Sequence, residues 1–188
     1  MAIREILKLQ YERLKQVSTP VERFDADLLL AIADLEETRQ AGPAAVGIAA
    51  PQVGWFERVV IVDVSTKKGV PNHGHLILVN PEIEHWEGFD MGREGCLSVP
   101  DYTGNVIRAT RIRLTACTPL GEPLAFEMEG FEARAVQHEL DHLDGMLFID
   151  RVVSRRTDLF QRKVYAGKGR SSSGGKPDPK GQGDAGGA

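Results

Sequence analysis

From Asp25 to Gln40 the apolar residues Leu28, Ile32 and Leu35 recur at helical spacing, Asp25 stands where it can cap the start, and Gly42-Pro43 ends the run. This predicts a helix with one face on the core. Arg58 to Val64 and His75 to Asn80 are continuous aliphatic runs rich in β-branched residues and bounded by Gly, Pro and Asn, the pattern of buried strands. Ile83 to Trp86 is a weaker strand pattern. Val106 to Arg108, Arg111 to Thr118 and Leu124 to Met128 read as antiparallel strands, the last two joined by a turn at Pro119-Leu120-Gly121-Glu122. A second helix is predicted from Phe131 to Leu143, with Ala135, Val136, Leu140 and Leu143 among its apolar positions and Gly145 ending it. A last helix is expected from Asp158 to Val164. Strands without regular strand-helix alternation favour an α+β fold: a single domain, mostly antiparallel β-sheets around a central helix.

Composition sets limits on this picture. The chain has 188 residues, 41% hydrophobic and 27% charged, which suits one globular domain, placed here at residues 1–166. Residues 167–188 are almost wholly Gly, Ser, Lys, Pro, Asp and Ala, a composition expected to form a disordered tail. The net charge of -4 gives no global basic field for DNA. No segment has the length and apolarity to cross a bilayer, and two cysteines are too few for a disulfide framework, so a reducing, cytoplasmic setting is expected. Nothing resembles a heptad repeat, and a monomer is the default.

The chemistry is concentrated in Gln137-His138-Glu139-Leu140-Asp141-His142. Residues i and i+4 share a helix face, so His138 and His142 can present two imidazole nitrogens to one divalent metal, while Glu139 between them remains available to move protons. A third ligand is needed, and Cys96 in Glu94-Gly95-Cys96-Leu97-Ser98 is the candidate; Gly95 would let the backbone approach a neighbouring element closely. Cys96, His138 and His142 would leave one position open for water. Asp141 is expected to act as a partner for a ligand histidine, because a metal-bound imidazole usually hands its other N–H to an acceptor. Upstream, Gln52 ends the segment Gly47-Ile48-Ala49-Ala50-Pro51-Gln52, where its amide could donate to the oxygen of an attacked carbonyl. Cys117 lies in a strand pattern without companion ligands and reads as structural, and His73 and His75 receive no function.

These three blocks, in this order, resemble peptide deformylase, the metallohydrolase family that removes the formyl group from N-formylmethionyl peptides. Softer matches at Ala2-Ile3-Arg4, Thr19-Pro20-Val21 and His142-Leu143-Asp144-Gly145 extend the resemblance over about Met1 to Asp150. It implies N-formylmethionyl nascent peptides as substrates, release of formate, and Fe²⁺ as the working metal, with Zn²⁺, Ni²⁺ or Co²⁺ as substitutes. It implies catalytic roles for Glu139, Gln52 and the backbone N–H of Leu97. It also implies substrate contacts at Val46, Gly47 and Gly95, and a methionine pocket lined by Phe131, Arg134 and Ala135. The chain departs from the family pattern at Ala45, where a glycine is usual, and at Ile48, where leucine is usual. Arg134 is bulky for an apolar pocket; its stem is expected to form a wall with the guanidinium in water.

Two other classes compete with this one. A zinc endopeptidase of the His-Glu-x-x-His type would recruit a downstream ligand, but no histidine follows His142. A non-catalytic binding module would need neither Glu139 nor Gln52. Any transient ribosome contact would be local, for instance through the Lys and Arg residues of the tail.

Overall fold

A computed structural model describes residues 2–162. Helix α1 (Ala26–Ala41) begins as expected, with the Asp25 side chain accepting from the backbone N–H groups of Asp27 and Leu28. Strands β1 (Gly47–Ala49), β2 (Val59–Asp63), β3 (His75–Cys96), β4 (Val99–Cys117) and β5 (Pro123–Glu129) follow, then helix α2 (Gly130–Leu143), the short helix α3 (Phe148–Arg151) and strand β6 (Leu159–Gln161). All strand pairings in the sheet are antiparallel, in the order β1-β2-β3-β4-β5, with β6 also on β4. The α+β architecture with α2 at its centre is the one the sequence predicts.

Strand β2 shows why its run is apolar throughout. Val59 and Ile61 face Leu28, Ile32 and Leu35 of α1, while Val60 and Val62 face the opposite way, towards Val136, Leu140 and Leu143 of α2. The sheet is thus held between the two helices. A third cluster of Cys96, Val99, Val106, Leu147 and Phe148 packs beneath the β3–β4 turn.

The long β3–β4 hairpin is where the sequence reading needs correction. The separate segments expected at 75–80 and 83–86 are parts of one 22-residue strand, and those at 106–108 and 111–118 belong to one 19-residue strand that ends at Cys117, one residue short of the second. Asn80, in the left-handed region at φ 52, and Pro81 look like breakers, but the strand absorbs them in a register shift between Val79 and Glu82. The helix expected from Asp158 to Val164 is also overturned. Residues Leu159–Gln161 form β6, pairing with Tyr102, Thr103 and Gly104. So short a helix gains little by itself, whereas the β4 edge offers backbone partners and a place for Leu159 against the third cluster. Residues 163 and 164 and the expected tail lie outside the described residues.

Between its pairings with β5 and β6, β4 is edged by α2 instead of a strand. The Gln137 amide accepts from the Ala109 N–H at 3.0 Å and donates to the Ala109 carbonyl at 2.9 Å, as a paired strand residue would. Arg134 donates to the carbonyl of Val106 at 2.9 Å. These bonds fix the rotation and height of the helix that carries the two histidines.

Candidate metal centre and catalytic cleft

Cys96 ends β3 and pairs with Val99 across a two-residue turn, Leu97-Ser98, so its thiol sits at the tip of a hairpin. His138 and His142 project from the buried face of α2. One ligand atom from each of the three lies within 4.8 Å of the others, and Cys96 Sγ is 3.3 Å from His142 Nε2. A tetrahedral ion with ordinary metal–sulfur and metal–nitrogen bonds holds such atoms about 3.5 Å apart, so the residues fit a divalent metal. Imidazole with thiolate also suits a borderline-soft ion.

The thiol is prepared for ligation. Burial alone would raise its pKa, but the His142 and His138 imidazoles outweigh burial and hold it well below the ordinary value. His138 is fixed by its other nitrogen: Nδ1 lies 2.9 Å from Glu94 Oε2, which leaves Nε2 facing Cys96. Asp141, expected to be the histidine's partner, is engaged elsewhere. It accepts from Arg108 at 2.6 Å and from Arg151 at 2.7 Å, because it lies on the β4 side of the helix. Glu94 holds the centre of this ionic cluster, accepting from Arg108 at 3.0 Å through both oxygens and from Arg134 at 3.0 Å. Burial would raise the Glu94 pKa, yet His138 and Arg108 bring it down to about 2.

Glu139 contrasts with the carboxylates of Glu94 and Asp141. It is 5% exposed, and its Oε2 is buried without a hydrogen-bond partner. Most buried polar atoms are satisfied, so an orphaned carboxylate oxygen beside a ligand set marks a group kept available for chemistry. Burial, opposed by His138 and His142, raises its pKa to about 7. Gly47 supplies the space it occupies. A Cβ at Gly47 would stand 2.8 Å from Glu139 Cδ and 2.9 Å from Cγ, closer than real contacts allow. Gly47→Ala is therefore expected to displace the carboxylate and lower kcat by about 10- to 100-fold with metal content intact. Parallel measurement of metal stoichiometry and turnover checks this; an unchanged kcat would show that the carboxylate has room to move.

Gln52 is 2% exposed, with its orientation set at both ends of the amide. Oε1 accepts from the Ala49 N–H at 2.9 Å, and Nε2 is directed at Cys96 Sγ, 3.4 Å away, and at Ser98 Oγ, 3.1 Å away. The N-terminal segment straps this loop to the cysteine turn: Leu7 N–H donates to the Gln52 carbonyl at 2.7 Å and Leu9 N–H to the Ser98 carbonyl at 2.9 Å. Lys8 Nζ reaches the Leu97 carbonyl at 3.0 Å.

A cleft of about 340 Å³ opens over these groups. Its lining brings together the expected Val46, Gly47, Gly95 and Leu97 with Phe131, Arg134 and Ala135. The Arg134 guanidinium is not in water, contrary to expectation. It is tied to Glu94, to Val106 and, at 2.8 Å, to the Asp90 carbonyl, leaving its stem as wall. Ala45 carries no left-handed strain; that conformation falls on Ala44, at φ 55. Residues whose part the sequence reading missed are Glu94, Ser98, Arg108 and Lys8. Glu94 and Ser98 each stand two residues from the cysteine in the motif, the one signal that could have found them.

The model of the polypeptide deformylase family matches residues 3–158. A peptide deformylase of Heliobacterium modesticaldum is 45% identical over 152 residues, covering 81% of this chain and 95% of that protein. Among solved structures, a peptide deformylase from Legionella pneumophila is 39% identical with a TM-score of 0.73, over 80% of this chain and 86% of that one. A Met-Ala-Ser-bound class I type b peptide deformylase from Acinetobacter baumannii is 35% identical with a TM-score of 0.75, over 80% of this chain and 99% of that one. With a Cys-His-His centre, an orphaned glutamate beside it and relatives similar along nearly their whole lengths, this chain belongs to the polypeptide deformylase family.

Proposed function

We propose that this chain hydrolyses the formyl–nitrogen bond of N-formylmethionyl peptides, releasing formate and a free N-terminal methionine, with the residue roles that follow. The observation that carries the reading is the placement of the orphaned Glu139 oxygen and the Gln52 amide around a three-ligand set with room for solvent. A divalent ion held by Cys96, His138 and His142 supplies Lewis acidity and makes water acidic enough to be activated near neutrality. We assign Fe²⁺ to this site, with Zn²⁺, Ni²⁺ and Co²⁺ able to take the same ligands.

Glu139 takes the proton of the attacking water as the new C–O bond forms at the formyl carbon, then passes it to the departing nitrogen as the C–N bond breaks. The Gln52 Nε2 group and the backbone N–H of Leu97 donate to the oxygen on which negative charge develops. Because the Gln52 amide is fixed by Ala49 and Ser98 beforehand, it need not reorganise during the reaction. Val46, Gly47 and Gly95 receive the peptide backbone, while Phe131, Ala135 and the stem of Arg134 enclose the methionine side chain. That the Acinetobacter relative binds Met-Ala-Ser supports a peptide beginning with methionine as the kind of ligand this cleft takes.

Among the described residues no helix is long and apolar enough to cross a membrane. We place the protein in the cytoplasm as a monomer, meeting its substrates as nascent chains through transient contact with the ribosome. Neither the endopeptidase nor the non-catalytic reading gains support, since Cys96 completes the ligand set from upstream of α2.

The test is formate release from a formyl-Met-Ala-Ser peptide by protein purified anaerobically with Fe²⁺. Glu139 works only when ionised, so kcat/KM is expected to rise with pH. Burial lifts its pKa and the bound cation lowers it, so the acid limb should lie between the ordinary 4.5 and about 7. No formate from protein with stoichiometric metal would overturn the reading, and a rate flat across that window would remove Glu139 from its role.

A further inference from the structure

The cleft carries cations that neither the ionic cluster nor the catalytic groups use. Arg134 is paired with Glu94, but Lys8, Arg93 and Arg162 also line the cleft, and none of the three has a carboxylate partner among the described residues. Lys8 is held by the Leu97 carbonyl. The two arginines stand on either side of Gly95, and strand register explains how they come to be there. Gly95 pairs with Thr103, and Thr103 with Phe160, so these three positions form a row across β3, β4 and β6 on one face of the sheet. Arg93 lies two residues before Gly95 and Arg162 two residues after Phe160, which places both on that same face.

Their geometry differs in a useful way. Arg93 is fixed: its guanidinium lies 3.6 Å from the centroid of the Phe160 ring and donates to Asn105 at 3.0 Å and Thr103 at 3.1 Å. Arg162, whose backbone N–H donates to the Asp101 carbonyl at 2.7 Å, extends its guanidinium over the bare backbone of Gly95. A Cβ at Gly95 would collide with Arg162 Nη2 and lie 3.5 Å from Cζ. The residue next to the Cys96 ligand is thus a shelf without a side chain, flanked by two guanidinium groups that have no carboxylate partner among the described residues.

We propose that Arg162, with Arg93, is a specificity-determining residue that selects peptides carrying a carboxylate at the second or third residue, counting formylmethionine as the first. The inference rests on the deformylase reading. With the formyl carbon at the metal centre beside Cys96, successive Cα atoms about 3.8 Å apart carry the peptide past Gly95 within its second and third residues. An Asp or Glu there meets two guanidinium groups that no carboxylate of the described residues neutralises, and a Lys or Arg meets like charge. Both arginines are exposed, so the attraction is moderate and screened by salt.

The experiment compares kcat/KM of the full-length metal-loaded protein for formyl-Met-Ala-Glu, formyl-Met-Ala-Gln and formyl-Met-Ala-Lys, with a second set carrying Glu, Gln or Lys at position two. All are amidated to remove the terminal carboxylate. In at least one set Glu should exceed Lys by about fivefold at low ionic strength, chiefly through KM, and the ratio should shrink towards one at about 0.5 M salt. Arg162→Ala should collapse the ratio, Arg162→Lys should keep most of it, and Arg162→Glu should invert it. Hydrolysis of the Gln peptides with equal values for Glu and Lys in both sets overturns this inference alone. So does a ratio that Arg162→Ala and Arg93→Ala both leave unchanged. No turnover of any peptide overturns the functional reading and this inference with it.

Discussion

Glu139→Gln is expected to lower kcat by about 10²- to 10⁴-fold, the range for loss of a positioned general base. The substitution keeps the shape of a side chain that is 5% exposed but leaves nothing that can accept the water's proton. Stability should not fall with activity. The folded-state pKa of Glu139 is raised from 4.5 to about 7, so near neutrality its ionised form opposes folding, and a neutral amide removes that penalty from the metal-free protein. A variant that melts at or above the parent temperature and binds metal stoichiometrically, yet has lost turnover, identifies the base. Turnover within about fivefold of the parent would exclude it.

Glu94→Ala should be the most damaging single change to the protein itself. It strips Arg108 of one of its two buried carboxylate partners, Arg134 of its only one among the described residues, and His138 Nδ1 of its acceptor. Removing one member of a buried ionic cluster leaves desolvated charge behind and typically costs about 3–5 kcal/mol. Losing the acceptor behind a ligand histidine typically weakens metal binding about 10- to 100-fold. Urea unfolding of the metal-free variant reads the first effect, and competition with a chelator reads the second. Glu94→Gln, which retains a hydrogen-bond acceptor without the charge, should fall between. Metal affinity and stability both unchanged would show that His138 is oriented by packing alone. The parent should reveal the same group on acidification. Because the folded pKa of Glu94 is depressed to about 2, its contribution is complete above the ordinary 4.5 and is lost as pH falls towards 2.

These residues differ in how far the sequence revealed them. His138, Glu139 and His142 were legible because one helical turn brings them together, so local spacing implies spatial proximity. Cys96 and Gln52 were candidates whose association with the histidines local spacing could not establish, since their approach is made by β-hairpin and loop geometry across 44 residues. Asp141 is a neighbour of the ligand histidines in sequence and was expected to serve one of them, whereas the acceptor behind His138 is Glu94 on strand β3. Apolar periodicity identified α1, β2 and α2, each buried along a continuous face. It divided the long hairpin, because Asn80 and Pro81 mark a break only when no partner strand accommodates them. Strand β6 was invisible to local reasoning, for its conformation is set by the exposed edge of Tyr102–Gly104 that it covers. Arg108 stands in the sequence only as the end of a predicted strand, and nothing local marks it as the residue that lies 4% exposed between two carboxylates.

The hydrogen bonds from Gln137 and Arg134 to β4 also bear on how the protein avoids self-association. A stretch of strand with unpaired N–H and C=O groups is a template for another chain to extend the sheet, and proteins commonly blunt such edges with charge, bulges or a covering element. Here the gap between β5 and β6 is closed by side chains of the helix that also holds His138, Glu139 and His142. One helix therefore serves both catalysis and colloidal safety. Loosening it would uncover a sticky edge at the same time as it dismantled the ligand set, so loss of activity and onset of aggregation should be expected to arrive together.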